Sequence, residues 1–394
     1  MAEIPGLESV LSPAGWPYAS TEAVAEGDPG RFHALFGRDS AITSLQVLPE
    51  RPDVARATLR ALASLQGSVE DPETDEEPGK IVHEWWPEAP ERLRRAGWPV
   101  RDGELRYYGS ADSTSWFLVL LASLEDRSLS AEMESTWRAA GDWLRSALER
   151  GDGLVRHGPR RGSGGLAQQG WRDAEDPADP AYHGAGILTA EGEVPEPPLA
   201  DADSQAVAVV ALRALTVLSG EESWNRAAAA LTETIGLAFD PETIALDTSG
   251  NKVPGAGSHL GWLLWADALP PAAREPAAER LCRPDLLTRW GLHTLSAEHP
   301  LYAPNAYHRG AVWPFDSWLG WGGFRAASRI EAAEELRLGI LSGIEAIGGA
   351  PELFAVGPEG PQPIPIANRV QAWTLGARWA LEHEWDGRVA KLFQ

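Results

Sequence analysis

Several short segments of this chain bring polar, aromatic and glycine residues together just ahead of strongly apolar stretches. They are Phe36-Gly37-Arg38-Asp39-Ser40, Tyr107-Tyr108-Gly109-Ser110-Ala111-Asp112, Gln169-Gly170-Trp171-Arg172-Asp173, Ser258-His259-Leu260-Gly261-Trp262, Tyr307-His308-Arg309-Gly310-Ala311-Val312-Trp313-Pro314 and Pro351-Glu352-Leu353-Phe354. Two carboxyl groups from such segments could share general acid–base work, one protonating a leaving oxygen and the other activating water, as in cleavage of a glycosidic bond. Spacing alone singles out no pair among 57 Asp and Glu. Asp173 suits the acid, because Trp171 beside it would desolvate it and raise its pKa. Glu352 suits the base, lying between Pro351 and the apolar Leu353-Phe354. A buried or loop-capping carboxylate would read the same way. Three histidines, His83, His259 and His308, sit in or near these segments and leave open a sugar isomerase or epimerase; a non-catalytic sugar-binding protein is the remaining alternative.

Composition narrows the partners. Lys and Arg number 34 against 57 Asp and Glu, a net charge of −23 that repels nucleic acid and anionic membranes and favours a neutral substrate. Tryptophan is abundant, with 18 residues against 8 Phe and 6 Tyr. Its flat face and single N–H donor suit stacking on a sugar ring, although a large core uses Trp too. Cys282, alone of its kind, excludes an internal disulfide and a cysteine-rich metal site. No metal or organic cofactor is expected. No stretch reads as about 18 consecutive apolar residues, and Met1 to Pro5 shows no basic or apolar leader, so a cytoplasmic location is expected. The oligomeric state is not encoded in these features.

The segments must be positioned by helices, because strand signals are nearly absent. Two kinds of helix alternate. One is apolar almost all round: Asp39 to Leu48, Asp112 to Leu124, Asp203 to Leu218, Ser258 to Leu269, Val312 to Ala327 and Arg369 to Leu381. The other is amphipathic at spacings of three and four: Val54 to Leu65, Met133 to Leu148, 222–238, 276–283 and Ala333 to Ile347. A helix apolar on every side is buried on every side, whereas an amphipathic one lies outside. The alternation predicts two concentric rings, six helices inside and a sleeve outside, with the sixth outer helix drawn from residues 5–30 or missing. Polar loops at 67–111 and 151–202 interrupt the rhythm and are long enough to carry function. If the inner helices run parallel, their N-termini share one rim, where side chains and positive helix ends converge. Asp39, Asp112, Asp203 and Ser258 could all be N-caps. Capping is the preferred reading for Asp203 and Ser258, whereas Arg38-Asp39 reads as a pocket that grips sugar hydroxyls.

In this order the segments resemble the motifs of the amylo-α-1,6-glucosidase (glycogen-debranching) family, within the (α/α)6-barrel glycosidases. Glu76-Glu77-Pro78-Gly79-Lys80-Ile81-Val82-His83-Glu84 and Gln371-Ala372-Trp373 add to the resemblance, which spans about His33 to Trp373. It implies an all-α (α/α)6 barrel and an inverting, exo-acting α-glucosidase, with Asp173 as general acid and Glu352 as general base. Arg38 and Asp39 correspond to the pair that grips the terminal glucose. Phe36, His83, Glu84, Tyr108, Asp112, Gln169, Trp171, His308, Trp313, Gln371 and Trp373 complete the implied substrate site, and Trp171, Trp313 and Trp373 are also candidates to hold the two acids in place. Two departures matter: residues 1–394 read as one catalytic domain with no preceding β-rich domain, and Ala174 stands where relatives often carry Ser. Both favour a short α-glucoside or α-mannoside, a disaccharide or glycosylated solute, as the competing substrate.

Overall fold

A computed structural model describes residues 3–21, 30–159, 164–177 and 186–393. Its helices are α1 (Gly37–Gln46), α2 (Pro52–Ser64), α3 (Glu91–Arg95), α4 (Ser113–Ser123), α5 (Arg127–Glu132), α6 (Glu134–Arg150), α7 (Ala202–Ser219), α8 (Glu222–Ala238), α9 (His259–Trp265), α10 (Pro271–Leu281), α11 (Pro314–Ala326), α12 (Ile330–Ile347) and α13 (Ala372–Glu382). Six of them close a ring, each packed on the next: α1 on α4, α4 on α7, α7 on α9, α9 on α11, α11 on α13, and α13 back on α1. Every residue of α1, α4 and α9 is buried, as helices without a polar face require. Outside them, α2 packs on α1, α6 on α4, α8 on α7 and α12 on α11, each through its apolar stripe, while α10 packs on α9 through Ala277, Ala278, Arg280 and Leu281 without the amphipathic period expected of it. The protein is an all-α (α/α)6 barrel, as the alternation of helix types predicts.

The sixth outer position holds a single 3-10 turn, Leu7–Val10, packed on α13. Pro5, Gly6 and Pro13 leave no room there for a longer helix. Part of the predicted stretch, 22–29, lies outside the described residues. Helix α7 is long and apolar enough to cross a membrane by length and composition, but 72% of it is buried within the protein, where it packs on α4, α8 and α9. Among the described residues the near-absence of strands also needs correction. Ten strands of two to four residues form four small antiparallel sheets: β1 (Leu35–Phe36), β2 (Glu84–Trp86) and β3 (Leu105–Tyr107); β4 (Ala200–Asp201), β5 (Thr243–Leu246) and β6 (Lys252–Pro254); β7 (Leu287–Thr288) with β8 (Gly291–Leu292); and β9 (Phe354–Gly357) with β10 (Gly360–Pro363). Strands this short carry no readable alternation. Their effect is to stiffen the rim loops: β1 runs straight into α1, and β4 straight into α7.

The capping expectations also change. Asp201, not Asp203, caps α7, accepting the Ser204 amide N–H at 2.6 Å. Ser258 precedes α9 without a capping bond and receives the Arg172 guanidinium at 3.0 Å instead.

Candidate active site at the rim of the inner ring

The first turn of α1 delivers Arg38. Gly37 before it can only be glycine, since a Cβ there would lie 2.2 Å from the Val82 carbonyl oxygen. That close approach pins the chain to β2, where Phe36 pairs with Glu84. Arg38 is buried and reaches three carboxylates. Its Nη2 donates to Asp173 Oδ2 at 2.6 Å, its Nη1 lies 3.4 Å from Asp112 Oδ1, and its Nε lies 3.7 Å from Asp39 Oδ2. Nη1 also donates to the Gly170 carbonyl at 3.1 Å, so one side chain ties α1 to the loop that carries Asp173. Burial pushes Asp39 up to about 7 against the pull of Arg38. Asp112 is likewise raised by burial, with Arg38 and the Ser110 hydroxyl opposing.

Asp173 lines a cavity of about 240 Å³ together with Arg31, Phe36, His83, Glu84, Trp98 and Tyr307, among others. Its side chain is 24% exposed. Burial of the carboxyl among these residues raises its pKa above the usual carboxylate range, and the Arg38 charge and hydrogen bond pull it back down. The apolar cover comes from Phe36, Leu93, Trp98 and Leu166. Trp171, expected to supply it, is 1% exposed and stacks on Trp262 in the layer beneath, ringed by the edges of Trp313 and Phe315. Glu84, on the cavity wall, accepts the Trp86 indole N–H at 2.7 Å and is pushed by burial to about 8. It is therefore mostly a neutral carboxylic acid at neutral pH. His83 is held well below its ordinary pKa by burial and by the nearby Arg38 and Lys80 charges, so it faces the cavity uncharged.

Glu352 comes from the loop just before β9. It is 1% exposed and fully held. The Tyr307 hydroxyl donates to its Oε1, while the Asn368 backbone N–H (2.8 Å) and side-chain amide (3.2 Å) donate to Oε2. Asn368 is itself oriented by Gln371 Oε1 at 3.1 Å, at the N-terminus of α13. Burial raises the Glu352 pKa, Arg31 and Tyr307 oppose the rise, and the negative charge of Asp173 adds to it. The two carboxylates therefore share one electrostatic neighbourhood, and Tyr307, which lines the cavity, hydrogen-bonds Glu352.

The remaining residues anticipated from sequence do not line this cavity and bond or stack elsewhere. The Tyr108 hydroxyl donates to the Leu65 carbonyl at 2.9 Å, turned toward the loop that follows α2. Gln169 Nε2 donates to Asp75 Oδ2 at 3.0 Å and to the Leu166 carbonyl at 3.3 Å. His308 stacks on Trp313, and its Nδ1 accepts the Gly186 amide N–H at 3.3 Å. The Trp313 indole donates to the Tyr307 carbonyl at 2.8 Å, fixing the tyrosine that contacts Glu352. Trp373 stacks on Phe315 at 3.8 Å between ring centres. Sequence reasoning missed Asn368, Arg31 and Trp98 altogether, and passed over Tyr307 although its motif was noticed. The first three lie in irregular stretches where no period or motif marks them.

One buried group organises the floor. Arg172 donates to Asp203 Oδ2 (3.3 Å), Ser258 Oγ (3.0 Å) and the carbonyls of Thr294 (3.0 Å) and His308 (3.3 Å), linking the loops of α7, α9 and α11. Asp203 beside it is pushed by burial to about 7, against the Arg172 charge.

Comparisons with known proteins agree with this architecture. The chain aligns along nearly its whole length with the GH63 mannosylglycerate hydrolase from Thermus thermophilus. For the complex with Tris and D-glycerate the identity is 17%, covering 96% of this chain and 98% of that one, with a TM-score of 0.69. For the complex with glucose the identity is 16%, covering 95% and 97%, with a TM-score of 0.67. At such identity these likenesses establish the fold alone. Among curated proteins none matches by sequence. The family model of the mannosylglycerate hydrolase MGH1-like glycoside hydrolase domain matches residues 145–354, more than half of the chain. The broad class expected from the motifs, an (α/α)6-barrel glycoside hydrolase, therefore stands, while the amylo-α-1,6-glucosidase family within it is not the one matched. An inner ring of apolar helices, a rim cavity with carboxylates on its walls and this match lead to one assignment: the chain belongs to the mannosylglycerate hydrolase MGH1-like glycoside hydrolase family.

Proposed function

We propose that the protein, acting as a single catalytic domain, hydrolyses a short α-glycoside whose aglycone is a small polar solute, with inversion at the anomeric carbon. The observation that carries this reading is the size of the cavity beside Asp173. About 240 Å³ falls below the roughly 300–1,000 Å³ of ordinary small-molecule pockets, which suits one hexose and a small aglycone. The family match supports a glycosylated hydroxy acid as the solute, and Arg31 and Arg92 on the cavity wall bring positive charge toward its carboxylate.

Asp173, its pKa raised by burial, gives its proton to the glycosidic oxygen as the bond to the anomeric carbon breaks. Glu352 takes a proton from a water that attacks the same carbon from the opposite face, leaving the sugar with inverted configuration. The water proton ends on Glu352 and the acid proton on the released hydroxyl, so the pair is reset by exchange with solvent. Arg38 and Asp39 hydrogen-bond hydroxyls of the sugar held against them.

Proton NMR of hydrolysis tests the reaction, comparing α-mannosyl- and α-glucosyl-D-glycerate with isomaltose, panose, trehalose and sucrose. The expected result is a β-anomer appearing first, with kcat/KM for a glycosylglycerate on the order of 100-fold above panose, as expected if a close-fitting site rejects the longer chain. Faster turnover of panose or isomaltose would restore the exo-α-1,6-glucosidase reading, and an α-anomer appearing first would exclude inversion. Asp173→Asn and Glu352→Gln should each lower kcat by about 100-fold or more while the protein stays folded, in keeping with loss of a general acid or base.

A further inference from the structure

His157 and Asp201 form a buried pair on the far side of the loop that carries Asp173. The backbone of His157 pairs with Leu199 through two hydrogen bonds of 2.8 and 2.7 Å, which sets the imidazole against the entrance to α7. Its Nδ1 accepts the backbone N–H of Gln169 at 3.1 Å. With Nδ1 accepting, the ring proton sits on Nε2, which donates to Asp201 Oδ2 at 2.6 Å. Asp201 is immobile in turn, because it caps α7 through the Ser204 N–H (2.6 Å) and hydroxyl (2.9 Å). The next loop residue, Gly170, lies flat on that carboxylate, where a Cβ would come within 2.7 Å of Oδ2. The Gly170 carbonyl then accepts Arg38, whose other arm holds Asp173. One chain of contacts thus runs from the first turn of α7 through Asp201, His157 and Gln169 to Asp173.

We infer that His157 is a positioning residue for the acid: it fixes the backbone of Gln169-Gly170, and through it the direction in which Asp173 presents its carboxyl. The inference rests on the assignment of Asp173 as general acid. Without an acceptor at the Nδ1 position, the buried Gln169 N–H must find another partner and the loop must shift to reach one. Displacements of about 1 Å in reacting groups cost on the order of 100-fold in rate. Burial alone would raise the Asp201 pKa, but the His157 and Ser204 donors outweigh it, so the carboxylate stays ionised to receive the imidazole N–H.

The two ends of the imidazole can be separated by substitution. His157→Gln reaches Asp201 but offers nothing at the Nδ1 position, whereas His157→Asn supplies an acceptor at that position and gives up Asp201. Turnover of α-mannosyl- and α-glucosyl-D-glycerate is compared with turnover of the matching glycosyl fluorides, whose leaving group departs without a proton from the acid. Breaking the C–F bond while water adds to the same carbon needs only the base. The ratio of kcat for fluoride to kcat for glycerate glycoside does not depend on the fraction of enzyme folded, so a poorly folding variant still reports.

His157→Gln should lower kcat on the glycerate glycoside by about 10- to 100-fold with KM little changed, and on the fluoride by less than about threefold. His157→Asn should bring the ratio back toward the parent value. An unchanged ratio in His157→Gln, with Asp173→Asn raising it, would overturn the inference and leave the acid assignment standing. An unchanged ratio in Asp173→Asn itself would overturn both.

Discussion

At the scale of single residues, Asp173 is pulled in two directions. Burial favours its protonated form, and the Arg38 guanidinium at 2.6 Å favours the carboxylate. An acid held by a cation gives up its proton at lower pH than its burial alone would dictate, so the basic limb of the activity profile depends on Arg38. Replacing Arg38 with Gln removes the stabilisation of the carboxylate, the pKa of Asp173 rises, and the acid stays protonated to higher pH. The basic limb of kcat/KM should move upward by roughly one unit, alongside a fall in rate from the loss of the Gly170 and Asp112 contacts. A pH–rate series on the parent and the variant checks this; a limb that stays put or moves down would show that Asp173 does not set it. Asp173 and Glu352 were legible as candidates because carboxylates beside apolar residues suggest raised pKa values. Tyr307 and Asn368, which hold Glu352 by hydrogen bonds, were not. A hydrogen bond between residues 16 or 45 positions apart leaves no local trace.

At the scale of elements, the inner helices were legible because burial on every side leaves no polar stripe, even though the first turns of α1 and α4 bury polar residues. Their closeness was not. Helices α9 and α11 meet at Gly261, Gly320 and Gly323, where a Cβ on Gly261 would lie 2.6 Å from the Gly320 Cα and one on Gly323 would lie 2.4 Å from the Gly261 carbonyl oxygen. These glycines could have been read as helix-weakening positions; they are the contact that lets two backbones touch. Gly323→Ala therefore forces α9 and α11 apart against backbone that cannot yield, at a cost of about 1–3 kcal/mol. The expected outcome is a lower melting temperature by calorimetry, together with reduced activity, because α9 carries Ser258 to the rim. An unchanged melting temperature would mean that the ring relaxes freely at this crossing. The loops were the least legible elements. Asp201, rather than Asp203, caps α7, because Arg172 from a distant loop claims Asp203.

At the scale of the whole molecule, buried ionisable groups govern stability against pH. Asp39 and Asp203 are pushed up to about 7 and Glu84 to about 8, all by burial. In the unfolded chain these groups ionise near pH 4, so the folded state holds more protons between there and pH 8, and stability falls as pH rises through that window. His83, His259 and His308 act in the opposite sense. Burial lowers their pKa values, so below about pH 6.5 the unfolded chain takes up protons that the folded state refuses, and stability is lost as pH falls. Above pH 6.5 the histidine contribution is complete and only the carboxyl effect remains. The melting temperature should therefore fall between pH 6.5 and 8.5, and the mutual repulsion implied by a net charge of −23 adds to the fall. Scanning fluorimetry at constant ionic strength tests this, and a rise over that interval would contradict the burial of these carboxyls.

The amino-acid sequence by itself determined that six helices without a polar stripe alternate with amphipathic ones and that polar segments precede the first set, because burial is written locally in residue type and period. It also carried the excess of acid, a net charge of −23, and motifs that point to a sugar hydrolase. Only the tertiary structure decided which of those polar segments meet. Closing the ring from α13 back onto α1 brings Asn368, Gln371 and Glu352 toward Arg38, Asp173 and Tyr307, residues up to some 330 positions apart in the chain. The same closure turns most of the expected sugar-stacking tryptophans inward as floor, since aromatic rings gathered at a narrowing rim bury more surface against one another than against an open cavity. The loops that enter the inner helices do form the candidate site, but what separates lining residue from brace is a matter of distances that no one-dimensional pattern records.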